Sequence, residues 1–178
     1  MAAPSPSVLF VGAGLTSSLA CSLLQSSLPA ASLTVWEKAR GAGGRLATSR
    51  APSCPSCTVD LGAQYFSPSP VEAQGEQYRA LLAEGLLQPL PLARVEGHRH
   101  DEGSRHFVAP RGTSSLVKHF LASSGASLQC GRRVTELSVE GGRWRARAEG
   151  GEEGSYDAVV LTIPVPQVCW RAAHCSLV

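Results

Sequence analysis

The residues best suited to chemistry stand near the start of the chain, in the run Gly12-Ala13-Gly14-Leu15-Thr16-Ser17. Two glycines separated by one residue allow a tight turn and then a close backbone approach to a ligand. Where a strand enters such a turn and a helix leaves it, the free amides of the first helical turn make a site for a pyrophosphate. The third small position of the pattern, usually Gly or Ala, is held by Ser17, which should tighten the helix-strand contact. Glu37 follows about 20 residues on, the distance at which an acidic side chain meets ribose hydroxyls in dinucleotide sites. The alternative for Glu37 is a solvated carboxylate beside Lys38, and a glycine turn alone also serves ordinary strand-helix junctions.

Two further motifs follow. Gly41-Ala-Gly43-Gly44-Arg45-Leu46 combines glycines that permit close approach with a guanidinium able to grip a phosphate through two parallel bonds. As a plain reading it could equally be a flexible surface loop. Asp60-Leu-Gly-Ala-Gln64-Tyr65-Phe66 is a strand-like segment containing a glycine, compatible with core.

The elements that must position these residues can be read from hydrophobic period. Ser7 to Val11 is a short apolar strand of the kind buried on both faces. A helix is predicted from about Leu15 to Leu24, with Leu15, Leu19 and Leu23 toward the sheet. Leu33 to Trp36 gives a second strand with Glu37 at its carboxyl end, completing a β-α-β unit. From Arg40 to Ser69 the chain reads as loop, rich in Gly and Pro. A helix from about Glu72 to Glu84 should stop at Gly85, and Pro89 to Val108 reads as short strands punctuated by Gly97 and Gly103. Pro110-Arg-Gly112 opens another helix with Leu116, Val117, Phe120 and Leu121 inward, closed by Gly125. Ser127 to Val139 and Arg143 to Ala148 read as strands joined at Gly141-Gly142; Arg143, Arg145 and Arg147 fall on its solvated face. Ala158 to Ile163 is predicted as a second buried strand.

Composition narrows the function classes. The chain has 178 residues, 43% hydrophobic and 17% charged, which is globular rather than disordered. A formal charge of +2 gives no field for nucleic acid or an anionic membrane, and 6% aromatic residues leave little for base stacking. No segment approaches the length of a membrane-spanning helix. Val8 to Val11 followed by Leu15 to Leu24 has a passing likeness to the apolar core of a signal peptide, but no basic residue precedes Lys38, and cleavage near Ala20 would remove the glycine motif. The protein is therefore read as soluble and cytoplasmic. The six cysteines include Cys54-Pro-Ser-Cys57, which lacks a second pair for zinc and the strand-to-helix setting of a thioredoxin motif, so a plain loop is expected. No metal site is expected, His98, His100, His106 and His119 being read as surface or packing residues.

Taken in order, Gly-Ala-Gly-Leu-Thr, Val-Trp-Glu-Lys, Gly-Gly-Arg and Asp-Leu-Gly-Ala-Gln-Tyr resemble the renalase family of FAD-dependent, amine-oxidase-like flavoproteins. So do Phe107-Val-Ala-Pro-Arg-Gly-Thr-Ser-Ser115, Lys118-His119-Phe120-Leu121, Arg133-Val-Thr135 and Val160-Leu-Thr-Ile-Pro-Val-Pro-Gln167. The likeness runs from about Val8 to Gln167 and covers the N-terminal half of such proteins. It implies an α/β, Rossmann-like, doubly wound FAD-binding domain interrupted by the beginning of a mixed β-rich substrate domain. The implied division is 1–70 for the FAD-binding β-α-β unit and a flavin-proximal loop, 71–125 for the start of the substrate domain, 126–167 for a return to the FAD domain, and 168–178 for a divergent tail.

The resemblance also implies an activity. Such proteins oxidise dihydronicotinamide dinucleotides and pass the electrons to oxygen, giving NAD(P)⁺ and hydrogen peroxide. Gly12, Gly14 and Gly44 would line the cofactor's phosphates, with Thr16 and Arg45 in contact with them. Glu37 would meet the ribose, Gln64 and Tyr65 would lie at the flavin, and Val134 matches the strand whose backbone meets the adenine. No catalytic acid or base is assigned, because the flavin takes the hydride and the protein supplies position. Vertebrate members are often described as secreted, which stands as the alternative location, and the sequence assigns no oligomeric state. The tail from Val168 departs from the family pattern, in which the rest of the substrate domain and a return to the FAD domain would be expected to follow. A C-terminally truncated, non-catalytic fragment without bound FAD is thus the alternative function, with exposed apolar surface, an unpaired sheet edge and less than stoichiometric flavin expected of it.

Overall fold

The computed structural model describes residues 5–91 and 105–164. Gly97, His98, His100, Gly103, Gln167, Cys169, Cys175 and the divergent tail lie outside the described residues. Two compact units are present, one formed by the described chain up to Gly44 and again from Val117, the other by Arg45–Leu116.

The first unit is built on the β-α-β segment that the apolar pattern dictates. Strand β1 (Ser7–Val11), helix α1 (Leu15–Ser27) and strand β2 (Ser32–Glu37) follow one another, and the two strands pair in parallel with Phe10 opposite Val35. Leu9, Phe10 and Val35 are buried on a sheet covered on both faces. Helix α1 turns its leucines inward only in part, Leu15 and Leu19 being half-buried. Leu23 is 55% exposed, and the buried face is Ser17, Ser18 and Cys21. Small side chains let the helix lie close to the strand, and closeness decides the orientation over leucine burial. Burial pushes the Cys21 thiol up to about 11.

The chain returns to this sheet later. Helix α4 (Ser114–Ser124) buries Leu116, Val117 and Leu121, with Phe120 half-buried, and gives way at Gly125 to strand β7 (Ser127–Cys130), which pairs in parallel with β2. The single strand expected from Ser127 to Val139 is broken at Gly131, where the backbone turns left-handed. Beyond the break β8 (Val134–Glu140), β9 (Arg143–Ala148) and β10 (Glu153–Tyr156) form a separate antiparallel sheet. Arg145 pairs with Glu140 at 2.8 Å and Arg147 with Glu153 at 2.7 Å along an exposed face. Strand β11 (Ala158–Leu161) then pairs with β1, giving a parallel sheet of order β11-β1-β2-β7. The expectation of a buried strand fails here: β11 is an edge strand, with Val160 37% and Leu161 40% exposed. The core between the parallel and antiparallel sheets gathers Leu9, Val11, Trp36, Ala146 and Ala148, with Tyr156 edge-on to Trp36. This is a Rossmann-like α/β unit.

The second unit holds more regular structure than the Gly- and Pro-rich sequence predicts. Strands β3 (Thr48–Ala51) and β4 (Cys54–Asp60) form an antiparallel hairpin where a loop was expected. The helix expected from Glu72 to Glu84 is two helices, α2 (Pro70–Ala73) and α3 (Glu76–Ala83). Ser69 and Glu72 cap each other's backbone and Pro70 sits at the first helical position, which starts a helix early. Gly75 then interrupts it and begins the second. Strands β5 (Gln88–Pro89) and β6 (Phe107–Val108) make a short ladder.

Candidate dinucleotide-binding site

The site grows from the end of β1. Gly12 has φ +101°, and a Cβ there would stand 3.0 Å from Thr162 Oγ1 and from Ile163 Cγ2. Only glycine satisfies both the left-handed backbone and this closeness. Thr162 Oγ1 in turn donates to Val11 O at 3.0 Å. The Val160-Leu-Thr-Ile segment therefore seats the glycine turn from the neighbouring edge of the sheet, a role that its apolar character does not announce.

Gly14 is the opposite case. Its backbone is extended, with φ −92°, and among the described residues a Cβ at this position would meet nothing within 4 Å. The fold itself does not require glycine there; the empty space next to the backbone does, if a ligand is to lie against it. Helix α1 begins at the next residue with no side-chain cap and no acidic residue in its first turn. Thr16 is exposed on that turn. Uncapped amides at the positive end of a helix are the donor set a pyrophosphate requires. Ser17 is fully buried, its hydroxyl 2.6 Å from Gly12 O and 3.1 Å from Gly14 O. The small third position is thus filled by a side chain that bonds the turn instead of merely fitting beneath it.

Glu37 is not the solvated residue that the alternative reading allowed. It is 8% exposed; Oε2 accepts the N–H of Ala13 at 2.7 Å and Oε1 the N–H of Ala39 at 2.8 Å. Each carboxylate oxygen has a second lone pair, so these bonds leave acceptor capacity for ribose hydroxyls. The Gly41–Gly44 loop is tied in as well, because Gly43 N–H donates to Ala13 O at 2.8 Å. A Cβ on Gly44 would lie 3.4 Å from Gly14 Cα, so the two glycine segments touch. Gly12, Gly14, Thr16, Glu37 and Gly44 accordingly form one cluster. Val134 lies at the start of β8, two residues beyond Arg132, whose N–H donates to Glu37 O at 2.8 Å. Its side chain packs against the Leu9-Trp36 core. Cys130, paired across the ladder with Glu37, has its thiol raised by burial and by that carboxylate's charge.

The remaining predicted residues belong to the second unit. Arg45 follows Gly44 directly and is exposed, within a 3-10 turn over Gly44–Leu46. Its carbonyl accepts the N–H of Ala63 at 3.1 Å, and a Cβ on Gly62 would fall 2.0 Å from that oxygen. Gly62 is therefore what lets the Asp60–Tyr65 segment lie against the arginine turn. Asp60 Oδ1 accepts from Thr48 Oγ1 at 2.6 Å and from Thr113 N–H at 2.9 Å, which joins this segment to the Pro-Arg-Gly-Thr motif. Sequence reading named both motifs and missed their bond, since nothing local marks an Asp as the partner of a threonine so far along the chain. Gln64 and Tyr65 are exposed, and the Tyr65 ring lies edge-on to His106 at 5.9 Å.

The NAD(P)-binding Rossmann-like domain family matches residues 11–84, and the flavin-containing amine oxidoreductase family matches residues 93–171. Renalase of Mus musculus is 42% identical over 164 residues, covering 90% of this chain and 48% of its own length. The chain thus spans about half the length of that curated relative. A solved structure assigned as a protoporphyrinogen oxidase from Exiguobacterium sp. 255-15 superposes with a TM-score of 0.69, covering 92% of this chain and 60% of that one. At 15% identity that likeness speaks for the fold alone. No described helix is long and apolar enough to cross a membrane. In sequence the chain is thus similar to the N-terminal portion of renalase, and in two successive segments to the NAD(P)-binding Rossmann-like and flavin-containing amine oxidoreductase families.

Proposed function

We propose that this chain carries the dinucleotide-binding part of an FAD-dependent oxidoreductase that oxidises dihydronicotinamide dinucleotides with oxygen, giving NAD(P)⁺ and hydrogen peroxide. The observation that carries the reading is the empty space beside Gly14 at the uncapped start of α1, with the Glu37 carboxylate bonded into the same turn. These groups fit the adenosine diphosphate part of FAD: amides for phosphate, a carboxylate for ribose, a glycine where the ligand must come closest.

In this reading Thr16 and Arg45 hold the phosphates, Arg45 through its planar fork. Glu37 orients the ribose, the backbone at Val134 faces the adenine, and Gln64 and Tyr65 border the ring system. FAD, when bound, supplies the hydride-accepting ring. The work of the protein is orientation and the exclusion of water, so no side chain is assigned a proton to move. The functional division proposed with it is 1–70 and 126–167 for the cofactor and 71–125 for the substrate.

The experiment is to purify the chain, titrate it with FAD, record the visible spectrum, and mix it with dihydronicotinamide isomers under air. Oxygen uptake matched by peroxide supports the oxidase. Saturable FAD binding without turnover restricts the chain to a cofactor-binding role, and no binding at all favours the non-catalytic fragment.

A further inference from the structure

The hairpin of the second unit contains a feature that the flavin reading does not use. In the β3–β4 ladder Ala51 pairs with Cys54 while Arg50, the residue before it, pairs with Thr58. Pro55, Ser56 and Cys57 are therefore pushed out of register as a bulge. Pro55 has no N–H for the ladder, which gives the bulge its cause. The bulge folds the strand back far enough for Cys57 Sγ to donate to Cys54 Sγ at 2.9 Å, with Ser56 Oγ 3.2 Å from the same Cys54 sulfur. In an unbroken strand, residues three apart point to opposite faces and do not meet.

We propose that Cys54 and Cys57 are a reversible dithiol-disulfide pair, with Cys54 the attacking sulfur, Cys57 the resolving sulfur, and a low-molecular-weight disulfide as co-substrate. The two thiols are not equivalent. The bond from Cys57 and then that from the Ser56 hydroxyl bring the Cys54 thiol down to about 7. The same bond raises Cys57, because its protonated form is the donor. Cys57 is exposed and Cys54 partly so, whereas Cys21 is buried with its thiol pushed up to about 11. Among the described residues no group of three His, Cys, Asp or Glu side chains could hold a metal ion, so the pair is short of a structural zinc set.

The steps balance without another redox partner. The Cys54 thiolate attacks one sulfur of the small disulfide, forming a mixed disulfide and releasing one small thiolate. Cys57 loses its proton and attacks Cys54 Sγ, forming the intrachain disulfide and releasing the second small thiol. Two protein thiols are oxidised and one small disulfide is reduced to two thiols. This differs from the helix-start dithiols of thioredoxin-like folds. Here a proline-driven strand bulge brings the sulfurs together, and the partner thiol and a serine hydroxyl lower the nucleophile.

The test uses the full chain in buffers of reduced and oxidised glutathione, quenched with acid, alkylated and digested with trypsin. Cleavage after Arg50 and Arg79 isolates both cysteines on one peptide, away from the others. The expected result is one transition from the doubly alkylated peptide to an unalkylated disulfide form, with little singly alkylated species between. Cys57→Ser should accumulate a glutathione adduct on Cys54. In the folded wild type, limiting alkylation at neutral pH should label Cys54 several-fold faster than Cys57, even after allowing for the lower intrinsic reactivity of a lower-pKa thiolate. That asymmetry should disappear in denaturant, since it comes from the folded bulge. A peptide that stays doubly alkylated across all buffers, or equal labelling of the two sulfurs in the folded wild type, would overturn the proposal. None of these readouts depends on bound flavin.

Discussion

The carboxylate of Glu37, at the end of β2, accepts the N–H of Ala13 at 2.7 Å and so ties the second strand to the turn that follows the first. The bond gives Glu37 a structural task in addition to the ribose contact proposed for it. Glu37→Gln replaces one acceptor oxygen with an amide that cannot accept, so one of the two backbone donors loses a charge-assisted bond. The expected loss is about 1.5–3 kcal/mol of unfolding free energy, and FAD affinity should fall by about ten- to a hundredfold. Denaturant melts and an FAD titration on the same preparation check both. Lower affinity with unchanged stability would mean that the turn does not need Glu37; if neither changed, both roles would be wrong.

Gly62 supports a purely steric prediction. Any β-carbon at this position falls 2.0 Å from the carbonyl oxygen of Arg45, which is already bonded to Ala63 N–H. Gly62→Ala must push the two strands of chain apart, at a cost of about 1–3 kcal/mol, the usual range for overpacking. The melting temperature should drop, and protease should cut earlier within 45–65. An alanine variant as stable as the wild type would contradict the contact.

The β1–β11 edge should respond to acid. The N–H of Ser7, then its hydroxyl, and beside them the Arg143 guanidinium hold the Asp157 carboxyl below its ordinary range. A carboxyl lowered in the folded state stabilises fully above its unfolded pKa, about 3.9, and loses that contribution as pH falls through the folded value. Asp157→Asn should therefore melt lower than wild type near neutral pH, and the gap should close as pH falls below about 4. Melting curves for both proteins across that range decide it; a gap that widens in acid would reverse the sign and refute the assignment.

What the sequence made legible is what lies close together along the chain. The β-α-β unit was readable because the apolar runs, the glycine pair and Glu37 all fall within one supersecondary unit. The inward face of α1 was misread in part because leucine spacing reports hydrophobicity, while the close helix-strand contact at Ser17 selected the small face. The Ala158–Leu161 run was misplaced for a related reason: apolar residues report a preference for strand, and whether the strand is central or at an edge depends on distant pairing. Asp60 and Thr113, bonded at 2.9 Å, lay in two motifs read separately, and only the folded chain joins them. Cys54 and Cys57 were read as a plain loop because the Pro55 bulge that brings their sulfurs together is a matter of ladder register.

The most direct measurement compares the wild type with Gly14→Ala in an FAD titration, followed by flavin fluorescence, alongside denaturant melts of each. The added methyl meets no atom of the described residues within 4 Å and the backbone there suits any residue, so the variant should fold with a stability change within about 1 kcal/mol, the scale of a helix-cap substitution. If that space belongs to a pyrophosphate, the methyl occupies it, and FAD affinity should fall at least about tenfold. A folded Gly14→Ala chain that binds FAD as tightly as the wild type would contradict the account, because the turn at Gly12 to Thr16 would then not be where the cofactor's phosphates lie.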